Sequence, residues 1–456
     1  MKSFPSARLW LLVFAGFISA WAQDARPELS AEPIVNLLGR LTSRETKIRR
    51  EAVREIERRK DASAIPGLVE LLRFPTFNQW GEAELLLRQL TKQNFDNNWI
   101  RWQEWLSQQQ TIPLPPRFIE WKSALLQLID PNFGKFLYAE MPLRIRADEI
   151  VWGGVKVDGI PALMNPKLIH ANEAEYLRGN DVVFGVEING DARAYPHRLL
   201  DSHEMLNDVV GGQPVSLAYC TLCRAGILFD TKVGDRVFTF GSSGLLYRSN
   251  KLMYDHQTES LWLTIPGEPV SGKLADSGLK LKQLPVVVTT WERWRKQHPT
   301  TKVLSLDTGY NRDYRAGALY GEYFSSSELM FPVPLRDARL QPKDEVFAVL
   351  LNGQPKAYPV KKLKKQTVAN DRVGNEAVVL LTESKTGAVR AYFRGSYEFR
   401  KFDGEVAEST DGKQWRVTEA ALVETTTGER LMRASGHLAY WFGWINFYPR
   451  TLLYEP

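Results

Sequence analysis

Cysteine is scarce in this chain: 456 residues hold only two, Cys220 and Cys223. One Cys-x-x-Cys is half of a four-thiolate zinc site, so that site type is excluded. Long apolar runs are scarce too. The uncharged stretch from Leu9 to Ala20 is shorter than the about 20 apolar residues that span a bilayer, and no later segment qualifies. No transmembrane anchor is expected once the N-terminus is cleaved, and the lack of a cysteine after the run excludes lipid attachment there. Charge of one sign is not in large excess, at +6 net. The basic clusters at Arg49 and Arg50, at Arg58, Arg59 and Lys60, and from Lys361 to Lys365 come without a nucleic-acid module or aromatic-basic alternation. They read as solvated faces of amphipathic helices, and no nucleic-acid partner is expected. His203 and Glu204 lack the second histidine of a zincin, and no nucleophile elbow surrounds Gly241 to Gly244.

What is present begins with an address. Lys2 and Arg8, the apolar run, and Ala20-Trp21-Ala22 before Gln23 form a secretory signal peptide over residues 1–22. The mature protein is expected outside the cytoplasm, periplasmic or extracellular, where thiols tend to be oxidised unless something such as a metal holds them. Residues 23–110 repeat apolar positions at spacings of three and four, among them Ile34, Leu37, Leu38, Leu41, Ala52, Ile56, Leu68 and Leu71. The pattern predicts paired amphipathic helices resembling HEAT repeats, with Asp61 in the turn and Pro66 opening the second helix of a pair. A second pair is expected from Trp80 to Leu106, with Trp99, Trp102 and Trp105 in its core. Two pairs are fewer than usually stand alone, so the block is expected to pack on the domain C-terminal to it and to offer a surface for a protein partner. Pro113, Pro115 and Pro116 mark a linker at residues 111–120.

Beyond the linker, strand signals dominate. Residues 181–196 match residues 344–359 without a gap, nine of sixteen being identical, and each carries Asn-Gly as a two-residue hairpin turn and an Ala-Tyr-Pro end. The register persists through Asn207 and Asn370, Asp208 and Asp371, and Gly211 and Gly374. After one gap, Trp291, Trp294 and Thr301 meet Trp441, Trp444 and Thr451. The expected fold class is therefore α+β: a helical HEAT-like block, then two copies of one α+β unit at residues 121–330 and 331–456.

The duplication is an internal control. Residues that serve the fold should survive in both copies, and residues that serve a site need survive in one. His197, His203, Glu204, Cys220 and Cys223 become Val360, Gln366, Thr367, Glu383 and Thr386. The second copy is degenerate in chemistry while keeping its frame. Cys220 and Cys223 are thus candidate thiolate ligands, His203 a nitrogen ligand, and Met253 or His256 the fourth, for copper or zinc. A thioether would favour copper. No catalytic residue is assigned. The role would be metal handling, electron transfer or redox chemistry. Two alternatives stay open: a thiol-disulfide oxidoreductase, and a non-catalytic scaffold that uses the pair as a staple. Against a thioredoxin-like arrangement, Cys223 is followed by Gly226, Ile227, Leu228 and Phe229, so the dithiol is expected in a strand-to-strand loop rather than at a helix start.

The residues Trp152-Gly153-Gly154-Val155, Asp158-Gly159-Ile160-Pro161, Arg193-Ala194-Tyr195-Pro196, His203-Glu204 with Asn207-Asp208, Tyr219-Cys220 with Leu222-Cys223, Ser243 to Tyr247, Met253-Tyr254-Asp255 and Ser260-Leu261-Trp262 together resemble an exported prokaryotic family known as domain of unknown function thirty-one seventy-nine. The resemblance runs from about Trp121 to the C-terminus and implies no established reaction. The family's loop is usually Cys-Pro-Leu-Cys-Gly, and here Thr221 replaces the proline and Arg224 the glycine. If a metal knuckle is formed, the last position needs positive φ, at a cost of about 1 kcal/mol for a non-glycine residue.

Overall fold

The computed structural model describes residues 32–74 and 81–456. The expected signal peptide and Trp80 lie outside the described residues. The chain is α+β, with helices first and a β-rich region after them. Helices at Ile34–Leu41, Thr46–Arg59, Ile65–Leu72, Glu82–Thr91 and Trp99–Gln108 bury the apolar stripe read from the sequence, Leu37, Leu38, Ala52, Ile56 and Leu68 being fully covered. The Asp61 side chain accepts the Ser63 N–H and caps the turn before Pro66. Trp102 is buried and donates its indole N–H to the Asp96 carbonyl at 2.8 Å. Among the described residues no helix is long and apolar enough to cross a membrane.

The helical block does not end in a free face. One apolar cluster runs from Ile34 through Leu126 to Leu245, Leu252 and Leu261 of the β region. At its centre Lys122, on the helix Phe118–Gln127, is buried 2.6 Å from Glu70 and also donates to the Ala147 carbonyl. Replacing one partner of such a pair strands the other charge in a dry interior, which typically costs about 3–5 kcal/mol.

Two smaller sheets share a strand order. In the first, the strands Val287–Thr290, Val182–Ile188, Asp191–Pro196 and Lys302–Leu304 lie side by side, with Lys302 parallel to and opposite Arg193. In the second the order is His437–Tyr440, Glu345–Leu351, Gln354–Pro359 and Leu452–Leu453, with Leu452 opposite Lys356. Each hairpin turns through an asparagine at positive φ, 52° at Asn189 and 48° at Asn352, followed by glycine, as a type I′ turn requires. Side-chain bonds recur in both halves, the Tyr-Asp and Trp-Thr pairs at the same spacing. Tyr195 donates to Asp208 at 2.7 Å and Tyr358 to Asp371 at 2.8 Å; Asn207 exchanges two bonds with the Phe240 backbone and Asn370 two with Phe399. Trp294 donates to Thr301 and Trp444 to Thr451, both at 2.9 Å.

A second layer in the first half contains Met205–Val210, Gln213–Cys220 and Ala225–Asp230, antiparallel in that order. A third contains Phe240–Tyr247 and Asn250–Asp255. The halves interlock: the cluster around Cys220 and Cys223 includes Val346, Ala348, Ala439, Trp441 and Trp444 from the second half, while Ala388 of the second half packs with Val183, Trp291 and Trp294 of the first.

Candidate functional site

The strand Gln213–Cys220 pairs with Ala225–Asp230, Cys220 lying opposite Ala225, and Thr221 to Arg224 make the turn between them. Arg224 takes φ 50°, the left-handed conformation anticipated at this position. Its guanidinium is 3.3 Å from Glu345 of the second half and lies over the Phe324 ring of the first, contacts that offset the backbone cost.

Both cysteines are free thiols and essentially inaccessible, at 1% and 0% exposure. A polarised chain of hydrogen bonds joins them. The Asn250 amide donates to the Cys223 sulfur at 2.9 Å, and the Cys223 thiol is directed at the Cys220 backbone carbonyl at 3.8 Å. Burial alone would raise the Cys220 thiol. Donation from the Cys223 thiol, and from the backbone N–H groups of Cys223 and Lys251, outweighs burial and the nearby Glu204 carboxylate, so Cys220 falls below the ordinary thiol value. Burial, its donation to Cys220 and the Cys220 charge push Cys223 well up. The two thiols are thus set apart, Cys220 the more acidic and Cys223 the less.

Lys251 is a cation that the charges of both sulfurs reach. It is buried, donates to the backbone carbonyls of Glu204 and Tyr219 at 2.9 Å each, and sits 3.7 Å from the Glu204 carboxylate. Burial lowers its ammonium, against the negative charges of Glu204 and the two sulfurs. Glu204 ends the helix His197–His203 at φ 55° and accepts the Thr221 hydroxyl at 3.0 Å. One turn earlier, burial pushes Asp201 up to about 7, while the Tyr219 hydroxyl, 3.2 Å away, works in the opposite direction.

Two walls close the site. The segment carrying the helix Gly321–Ser325 crosses it, with the Tyr323 hydroxyl on the Leu222 carbonyl at 2.7 Å and Tyr320 at φ 58°. The second half supplies the other wall: the Tyr440 N–H bonds the Cys223 carbonyl at 2.8 Å, and Gly443 approaches so closely that a Cβ there would overlap the Cys223 Cβ.

Of the residues proposed from the sequence, Met253 shares the buried cluster of Cys220 and Cys223. His203 is buried with its ring between other partners: Nδ1 is 2.8 Å from the Pro161 carbonyl, Nε2 is 2.6 Å from the Tyr314 hydroxyl, and burial lowers it. His256 lies in an exposed turn against the Thr239 hydroxyl at 2.9 Å. Among the described residues no group of three or more His, Cys, Asp or Glu side chains is arranged around a metal position. Asn250, Lys251 and Asp201 were not singled out by sequence reasoning. The one hint was a lysine beside the otherwise apolar run Leu252-Met253-Tyr254. In the second half, the positions of Cys220 and Cys223 carry Glu383 and Thr386, bonded to each other at 3.2 Å, and Glu383 continues into the buried pairs Arg390–Glu383 and Arg390–Glu419.

Fold and site define an α+β protein with one buried, polarised Cys-x-x-Cys dithiol in a strand-to-strand turn. The chain belongs to the family described as Protein of unknown function (DUF3179), which it matches over residues 157–451. No curated protein and no solved structure matches it.

Proposed function

We propose that the protein is exported and that Cys220 and Cys223 form a two-electron thiol-disulfide centre. The observation that carries this reading is a pair of free, buried thiols in one turn, with the Asn250 amide on the Cys223 sulfur at 2.9 Å and the Cys220 thiol held below its ordinary value beside a Cys223 thiol held above it. The Cys220 thiolate attacks one sulfur of a partner disulfide, forms a mixed disulfide and expels the first thiolate. Cys223 gives its proton to that expelled thiolate, attacks the Cys220 sulfur and releases the second. The internal disulfide closes, two electrons pass to the partner, and the reverse sequence restores the dithiol. Cys220 lies buried under Tyr320 and Tyr323, so the covering segment opens before the partner enters. Mass spectrometry after exposure to oxidised glutathione tests the reading: the protein should lose two hydrogens, while Cys220→Ser should not. A protein that stays reduced, or retains only glutathione adducts, contradicts it.

A second reading, that the pair holds a soft metal ion, copper ahead of zinc, is favoured by the Met253 thioether in the same buried cluster. Metal content of protein from its native compartment, with and without Cys220→Ser, decides it. Metal lost with the thiol supports this reading, and none in either sample removes it.

For the frame we infer that the two halves are copies of one unit and that the N-terminal helices are HEAT-like pairs. The matched strand orders and the recurring Tyr-Asp, Asn-backbone and Trp-Thr bonds support the first. The helix pairs and the capped Asp61 turn support the second. Export rests on residues 1–22.

A further inference from the structure

A second feature, independent of the dithiol, lies where the second half meets the first. A groove of about 820 Å³ is lined by Lys343, Lys361, Lys362, Lys364 and Lys365, with Leu340, Pro359 and Val360 as its apolar floor. A smaller cavity of about 110 Å³ continues from it, sharing Glu345, Val360 and Lys364, and is lined by His197 and Arg224.

Lys343 already serves the segment over the dithiol, donating to the Tyr323 and Ser326 carbonyls at 2.5 and 2.8 Å. The other four lysines form no ion pair among the described residues, and Lys361, Lys364 and Lys365 are exposed. Two carboxylates also line the groove, Asp344, which accepts the Gln341 N–H at 3.0 Å, and Glu345, which faces Arg224, and the lysines outnumber them. Four like charges within five residues repel one another, Lys361 and Lys365 being four apart, and no acidic side chain among the described residues neutralises them. Arg224, paired with Glu345 at 3.3 Å, lines the inner cavity.

We propose that this groove binds a small polyanion carrying two or more carboxylate or phosphate groups, with the lysines on its outer charges and Arg224 at the inner end. The volume falls within the roughly 300–1,000 Å³ of small-molecule sites. The lining has no aromatic platform for stacking bases, so a small anion fits better than a nucleic acid strand.

Calorimetric titration of the purified full chain at low ionic strength with citrate and, separately, pyrophosphate tests this. At least one probe should bind with a dissociation constant below millimolar, and which one distinguishes carboxylate from phosphate recognition. The double variant Lys361→Glu with Lys365→Glu should weaken it at least tenfold and Arg224→Gly at least threefold. Lys47→Glu with Lys92→Glu, the same charge change on the exposed helical block, should leave it within twofold. Binding of neither probe, unchanged affinity in either groove variant, or equal weakening by the helical-block variant would overturn the proposal.

Discussion

At the residue scale, Lys251 acts on the dithiol and Asp201 on the Tyr219 hydroxyl beside it. Lys251→Met keeps the apolar stem and removes the ammonium that serves two backbone carbonyls. The Glu204 carbonyl keeps the Tyr219 N–H at 2.7 Å, so one buried acceptor loses its partner and the variant should lose about 1–3 kcal/mol in denaturant unfolding. The pH at which Cys220 is alkylated by iodoacetamide should rise, and an unchanged alkylation profile would contradict the assignment of Lys251. Asp201 gives a pH signature. In the folded chain its carboxyl keeps its proton to about 7, against an ordinary value of 3.8. Between those values the folded state binds more protons than the unfolded chain, so its contribution to stability falls as pH rises from about 4 to about 7. Asp201→Asn removes that slope. The variant should gain stability relative to the parent at pH 8, with the gain shrinking toward pH 4 in paired denaturation curves, and a pH-independent difference would refute this role. The cysteines were legible because they are unique. Lys251 and Asp201 were not, because nothing in their sequence neighbourhood tells a buried charge from a solvated one.

Among the elements, the covering segment decides access. Tyr323 ties it to the Leu222 carbonyl, and Lys343 lies over the same ring at 3.4 Å. Tyr323→Phe deletes one tether without emptying the space. The rate of Cys220 modification by a small disulfide reagent should rise several-fold with secondary structure unchanged, and an unaltered rate would show that the segment does not gate the sulfurs. The hairpins were readable from Asn189-Gly190 and Asn352-Gly353, because a two-residue turn demands left-handed residues there. The turn holding the dithiol was readable as strand, turn, strand. The covering segment was not. Its tyrosines meet the Cys220 to Arg224 turn from about a hundred residues away, and no local periodicity reports such a contact.

The whole molecule uses its second half as a wall for the site in the first. Its helix Trp441–Ile445 carries Gly443 against Cys223, so Gly443→Ala introduces a Cβ with no room. The expected loss is about 1–3 kcal/mol with faster thiol modification, read by denaturant unfolding and thiol kinetics. A neutral substitution would mean that the halves are not packed through this contact. Internal similarity between the halves could be read from the chain alone, whereas their interlocking could not: repeated sequence fixes the frame of each half but not which face of one meets the other. In the second half Glu383, which accepts the Thr386 hydroxyl, joins Arg390 and Glu419 in a buried ion-pair network.

The dithiol itself is tested by equilibrating the intact, folded protein across a series of glutathione redox buffers and counting free thiols at each potential by mass tagging. One reversible two-electron transition should take both sulfurs together, disappear in Cys223→Ser, and occur without unfolding. Two thiols that stay reduced across the series, or that oxidise only when the chain unfolds, would contradict a thiol-disulfide centre at Cys220 and Cys223.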